Sequence, residues 1–366
     1  MRAHEGRMRG TMTTVSEIKV TRMKASRLSQ VDFDNLPFGK VFSDHMLVAD
    51  FRKGEWQPGE IVPYGPFQLS PAATALHYGQ SIFEGMKAHR NVRGNPVLFR
   101  PRDNFVRMNR SAERMVMPPI PESLFLDGLR ELIRIDAGWI PKKEGSSLYL
   151  RPLEFANDDY IGVRPSDAYK FVIFTCPVGP YYNEPVKLWV TRKYVRACEG
   201  GTGEAKTAGN YAASYYATKE AQDKSYHNVL WLDGKEHRYA EECGTMNIFF
   251  VIDGVAVTPA LSGTILRGVT RDSVITLLRE MKVPVEERRI AIEEIVDAHA
   301  KGKLQEAFGA GTAAAISPVI QIGSEEGVVR LPPVEERKIG PALLKRLDDI
   351  RLGRVEDRFG WMEEVV

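Results

Sequence analysis

Over residues 104–115 (NFVRMNRSAERM) apolar side chains recur every three or four positions, which puts Phe105, Met108, Ala112 and Met115 on one helical face. Residues 122–135 repeat that spacing with Leu124, Leu129, Leu132 and Ile133. Residues 268–281 do the same with Val269, Ile275, Leu278 and Met281, and PALLKRLDDIRLGRVED reads as a late helix. The continuous apolar runs KFVIFTCPV and VKLWVT predict buried strands. NVLWLDGKEHRYAEE and NIFFVIDGVAVTP predict hairpins, each turning at an Asp-Gly pair. GPYYNEP carries turn residues and no period, which marks a linker. Hairpins mixed with helices predict a mixed α/β (α+β) fold and not a doubly wound parallel sheet. The chain then divides into a flexible lead-in over 1–30, a small domain over 31–178, a linker at 179–186 and a larger domain over 187–366.

At 366 residues there is room for two domains sharing an interface. The hydrophobic share of 43% and charged share of 27% describe an ordinary folded protein. A formal charge of +2 supplies no basic field for nucleic acid. Cys176, Cys198 and Cys243 form neither a disulfide framework nor a zinc spacing, so a reducing cytoplasm is expected. No apolar run approaches the roughly 18 residues of a membrane span. The first residues carry arginines but no apolar core, which excludes a secretory signal; Glu5 weakens a transit peptide, and Met8 and Met12 are further candidate starts. Histidines are scattered without HxxxH or HExxH, so no metal site is expected.

Two near matches to phosphate motifs remain. Residues 200–207 read GGTGEAKT, one glycine short of the P-loop pattern at Ala205, and VLWLD at 229–233 resembles its magnesium-binding partner strand. A P-loop-like nucleotide-binding protein is therefore the alternative from another class. Residues 309–314 read as GxGxxA, but the β-branched stretch that follows predicts a strand, not the helix a dinucleotide site needs. A tight turn between strands fits better.

Lys206 stands in a Gly-rich, nearly apolar loop, where an ammonium is poorly solvated and a neutral amine is expected. A neutral amine attacks aldehydes, and the aldehyde cofactor that uses lysine this way is pyridoxal 5'-phosphate. Tyr211 is near enough in sequence to meet its ring oxygen, and Glu242 could hold its ring nitrogen. Gly268 and Thr270 open a helix whose free N–H groups suit a phosphate, with the 311–312 turn and Arg100 as further donors. Taken singly, Glu242 also reads as an exposed strand acid, Thr270 as a helix-start residue and Arg100 as a surface charge.

The blocks LPFGKVFSDHM, LHYGQSIFEGMKA, VLFRPRDNFVRMNRSAERM, SLYLRP, KTAGNYAAS, EECGTMNIFF, ILRGVTRDSV and FGAGTAAAISPV, in this order, resemble the branched-chain amino acid aminotransferases of the fold type IV pyridoxal phosphate enzymes. The resemblance runs from about Leu36 to about Ile320. It implies the two-domain architecture of that class, with the cofactor at the domain interface, and ping-pong amino transfer between L-leucine, L-isoleucine or L-valine and 2-oxoglutarate. Lys206 would form the Schiff base and carry the proton. Arg100, Arg196, Tyr211, Glu242, Leu266, Gly268, Val269, Thr270 and Thr312 would hold the cofactor. Phe38, Phe83, Tyr149, Arg151, Tyr181, Thr245 and Ala313 would receive substrate, with Arg151 meeting the distal carboxylate of glutamate. Tyr78, Ile161 and Val163 would reach in from a partner subunit, implying a homodimer. Ala208 replaces a common glycine, and Ala314 and Ser317 stand where some members carry a CxxC redox switch. A D-amino acid aminotransferase or an aminodeoxychorismate lyase is the alternative within the fold.

Overall fold

The structure is a computed structural model that describes residues 18–179 and 185–365. Among these residues two sheets organise the chain. Tyr169–Val178 lies at the centre of the first, between His45–Arg52 and Ser147–Ala156, and Met86–Arg90 and Pro96–Phe99 extend it. These neighbours are antiparallel. The helices Pro101–Arg114 and Gly128–Ile135 cover one face, so that Met108, Ala112, Leu129, Leu132 and Ile133 bury against Leu47, Leu148, Leu150 and Phe171.

The second sheet runs Ala240–Cys243, Asn228–Leu232, Val186–Val190, Ala315–Ser324, Leu304–Gly311, Met246–Ile252. Ala240–Cys243 also pairs with Met246–Ile252, which closes these strands into a ring. Val255–Thr258 continues the sheet across the expected tight turn at Asp253 and Gly254, both at positive φ. The helices Val269–Glu280 and Ile339–Arg351 pack outside it around Phe249 and Phe308.

Several expectations change. Residues 18–30 do not hang free: Lys19–Val20 pairs with Glu60–Pro63, and the Ser26 hydroxyl donates to Asp44 at 2.6 Å. Ile18, Val20 and Leu28 supply the apolar contacts that hold them. The hairpin after Leu232 has a longer connection than an Asp-Gly turn. Asp233 organises it by accepting N–H bonds from Lys235, Glu236, Arg238 and Tyr239. Burial opposes ionisation of Asp233, but these donors outweigh it and bring its pKa down to about 2. The late helix stops at Arg351 because Gly353 turns left-handed at φ 66°. The chain end returns to the first sheet, where Met362–Glu364 pairs with Pro96–Phe99. The expected linker lies mostly outside the described residues.

Candidate active site

Lys206 sits where the two sheets meet. Its N–H donates to the Ser111 hydroxyl at 3.0 Å, and its carbonyl accepts the Phe83 N–H at 3.0 Å. Next to it the Thr207 hydroxyl donates to the Ser81 carbonyl at 2.8 Å. Two bonds therefore fix the lysine backbone, and the Thr207 bond holds the next residue beside them. The side chain is half-buried, and Nζ lies 2.9 Å from the Tyr211 hydroxyl. The short helix Ala208–Ala212 makes that contact by bringing Tyr211 back over the loop.

From Nζ a continuous row of side chains leads outward. Nζ lies 5.0 Å from the Phe83 ring centroid, and that ring packs 4.8 Å from Tyr211. The Arg151 guanidinium rests on the other aromatic groups, 4.6 Å from Phe83 and 5.3 Å from Tyr149, and Nη2 donates to the Tyr149 hydroxyl at 3.0 Å. Phe38 meets Tyr149 edge-on at 5.2 Å. Gly85 makes room for this arrangement: a β-carbon there would stand 2.2 Å from the Tyr149 oxygen. Arg151 Nε is buried without a hydrogen-bond partner.

Glu242 is buried, which removes the exposed-acid reading. It accepts the Leu266 N–H at 2.7 Å and pairs with Arg196 Nε at 3.2 Å. Burial pushes its pKa up, while Arg196, the Leu266 N–H and Lys206 pull the other way. Arg196 also donates to the carbonyls of Gly203 and Thr264, tying the lysine loop to the loop before Val269–Glu280. Gly268 caps that helix with no side-chain bond on its first turn. Val269, Thr270 and Thr312 line one small cavity. Arg100 reaches the same helix, but its guanidinium is committed to Asp103 at 2.9 Å, Asp272 at 2.7 Å and Ser273 at 2.9 Å. Thr245 lies exposed in the turn before Met246–Ile252. Ala313 lies in the turn between Leu304–Gly311 and Ala315–Ser324.

Tyr78, Ile161 and Val163 stand apart from this row. The Tyr78 hydroxyl donates to the Ile161 carbonyl, and the three residues are 45%, 64% and 88% exposed. Tyr181 lies outside the described residues. Sequence reasoning missed Ser111, the buried Glu84–Arg107 pair at 2.7 Å, and Lys87, whose Nζ donates to the Ala313 carbonyl at 2.6 Å. No periodicity reports such contacts, because they join distant parts of the chain.

The site suits pyridoxal phosphate. An amine and a phenol are adjacent, a buried carboxylate is held by the Arg196 that also ties down the lysine loop, and a helix start without a side-chain cap shares a small cavity with Thr270 and Thr312. The P-loop reading does not suit it, because the amides of Gly201, Ala205 and Lys206 are already bonded to Cys198, Thr202 and Ser111. The GxGxxA stretch is a hairpin turn, with Gly311 paired to Ala315.

The family described as Amino-transferase class IV matches residues 81–322. The chain is 47% identical to the Branched-chain-amino-acid transaminase 1 of Bacillus subtilis (strain 168), over 91% of this chain and 95% of that protein. A solved branched-chain aminotransferase from Thermoproteus uzoniensis with norvaline is similar at a TM-score of 0.74 and 27% identity, covering 88% of this chain and 100% of that one. The branched-chain amino acid aminotransferase from Escherichia coli is similar at a TM-score of 0.69 and 27% identity, covering 87% of this chain and 98% of that one.

Proposed function

The chain belongs to the class IV aminotransferases, its activity is branched-chain amino acid transamination with pyridoxal 5'-phosphate, and we propose that the cluster around Lys206 carries it. The observation behind this assignment is the 2.9 Å contact of Lys206 Nζ with the Tyr211 hydroxyl, beside the row Phe83, Arg151, Tyr149 and Phe38. When bound, the cofactor supplies an aldehyde for the amino group and a ring that takes up electrons. Lys206 Nζ would take the proton from the substrate α-carbon as base and hand it to the cofactor's former aldehyde carbon as acid, so that the amino group stays with the cofactor. Tyr211 orients that amine through its hydroxyl. Glu242 holds the ring nitrogen, and Arg196 keeps the carboxylate in place. Val269, Thr270 and Thr312 offer N–H and hydroxyl donors to the phosphate, with Leu266 and Gly268 shaping the loop and Arg100 bracing the helix. Thr245 and Ala313 receive the substrate carboxylate.

Aromatic rings accept leucine, isoleucine and valine together, since one methylene in an apolar pocket is worth only about 1–3 kcal/mol. The second substrate is 2-oxoglutarate, whose distal carboxylate meets Arg151. Tyr78, Ile161 and Val163 complete the site of a second copy, making the protein a homodimer. Its free thiols fit a reducing cytoplasm.

Reduction of the holoenzyme with borohydride tests the assignment. It is expected to add a cofactor-sized mass to the peptide containing Lys206 and to abolish amino transfer from L-leucine. Attachment to another lysine overturns the roles given above.

A further inference from the structure

A cleft of about 580 Å³ opens beside the turn at 311–315, and Lys206, Tyr211 and Glu242 do not line it. That volume lies within the range of about 300–1,000 Å³ typical of small-molecule sites. Its walls include Lys87 and His89 from Met86–Arg90, Arg351 from the end of Ile339–Arg351, and residues 313–318.

The charges in this cleft are poorly answered. Arg351 is only 5% exposed, and its Nε has no hydrogen-bond partner. The carboxylate of Asp348 stands 3.8 Å away, and the guanidinium otherwise lies on the Phe99 ring at 4.7 Å. Lys87 gives a hydrogen bond to a neutral carbonyl. His89 Nε2 is buried without a partner. Burial, reinforced by Arg351, holds the Lys87 pKa down to about 7 and that of His89 well below its ordinary value. The other cations of the cleft are paired or solvated. Arg354 pairs with Glu144 at 2.5 Å, Lys143 with Asp34 at 3.2 Å, and Arg90 donates to the carbonyls of Gly94, Ala137 and Ile140. Lys142 is exposed to solvent. The buried cation left short of partners is therefore Arg351, which lines the cleft together with Lys87 and His89. Gathering cations in a buried space is costly unless an anion joins them.

We propose that this cleft binds a small oxyanion with two or more negative charges, seated between Lys87 and Arg351. A guanidinium fork beside an ammonium suits phosphate or paired carboxylates. A smaller cavity of about 20 Å³ shares Lys87, His89 and Arg351 and reaches Thr270 and Thr312. The experiment must therefore separate a new site from extra support for the cofactor. The proposal stands on buried charge and does not depend on the transaminase assignment.

Calorimetric titration of the cofactor-loaded full chain with inorganic phosphate, and separately with succinate, tests it. At least one is expected to bind saturably, with one site per chain; the stronger of the two identifies the ligand as phosphate-like or dicarboxylate-like. Arg351→Gln is expected to weaken that binding at least tenfold with cofactor content unchanged. Absence of saturable binding to either anion overturns the proposal, as does equal affinity in Arg351→Gln. Loss of cofactor by the variant with anion binding retained also overturns it, because the cluster then serves the cofactor. Should Arg351→Gln fail to fold, a wild-type crystal soaked in selenate decides the matter: density between Lys87 and Arg351 supports the site, and density only elsewhere overturns it.

Discussion

Arg151 has more donor capacity than the structure uses. One of its nitrogens holds Tyr149, two rings cover its faces, and Nε is left over. An apolar substrate side chain asks only for the rings, whereas a carboxylate-ended one needs the donor. A hydrogen bond to a charged group contributes about 1.5–3 kcal/mol, so Arg151→Ala is expected to lower kcat/KM for L-glutamate about 10–100-fold. Turnover of L-leucine should fall far less, and steady-state kinetics with both substrates compares them directly. Equal losses would remove Arg151 from the role. Glu154 presents the opposite situation, a carboxyl group with nothing to bind. It is fully buried, neither oxygen has a partner, and burial raises its pKa well above the ordinary 4.5. The unfolded chain releases this proton near its ordinary pKa while the folded chain retains it. Stability present below that value is therefore lost as pH rises toward the folded value. Glu154→Met is expected to raise the melting temperature at pH 8 and to change it little at pH 4, as thermal melts at the two values would reveal. Lys206 and Tyr211 were legible in the sequence because they are neighbours along it. Lys87 and Ala313 are 226 positions apart, and no local pattern connects them.

Helical spacing located the main helices because their buried faces are continuous. It failed where packing, and not period, sets the path. At Ser123–Asp127 the chain forms a wider turn before Gly128–Ile135, and Gly128 lies so close to Leu47 that a β-carbon would stand 2.5 Å from it. Gly268 is a similar case with a consequence for the site. A β-carbon there would lie 2.0 Å from the Asn247 side-chain oxygen. The Asn247 amide nitrogen holds the Leu266 carbonyl at 3.0 Å, and the Leu266 N–H in turn holds Glu242. Gly268→Ala must displace Asn247, and the disturbance passes to both the acid and the helix start. The variant is expected to retain cofactor about tenfold more weakly, a loss of roughly 1.4 kcal/mol. Absorbance after dialysis measures it. Gly65→Ala, with nothing within 4 Å of its β-carbon, should behave as wild type.

At the scale of the molecule, the mixture of hairpins and helices gave the fold class, and eight ordered blocks carried the family. How the sheets close and where the chain end pairs were not legible, since strand pairing over long separations leaves no periodic trace. The expected dimer rests on Tyr78, Ile161 and Val163, which the family resemblance singled out and which the structure leaves exposed, although by composition alone they look like core positions. Three exposed apolar side chains, two of them joined by the Tyr78–Ile161 hydrogen bond, suit burial against a partner. In the proposed two-fold dimer each patch would serve the other copy's site, so a patch defect and a lysine defect would act on different sites. Val163→Asp keeps Lys206 but presents a charged patch, and Lys206→Ala keeps the patch but has no amine. Each homodimer should be nearly inactive. After subunit exchange, half of the dimers pair an intact Lys206 with an intact patch at one of their two sites, so the mixture should regain about a quarter of wild-type activity. Failure to recover, with exchange verified by mass spectrometry, would mean that the patch does not act across the interface.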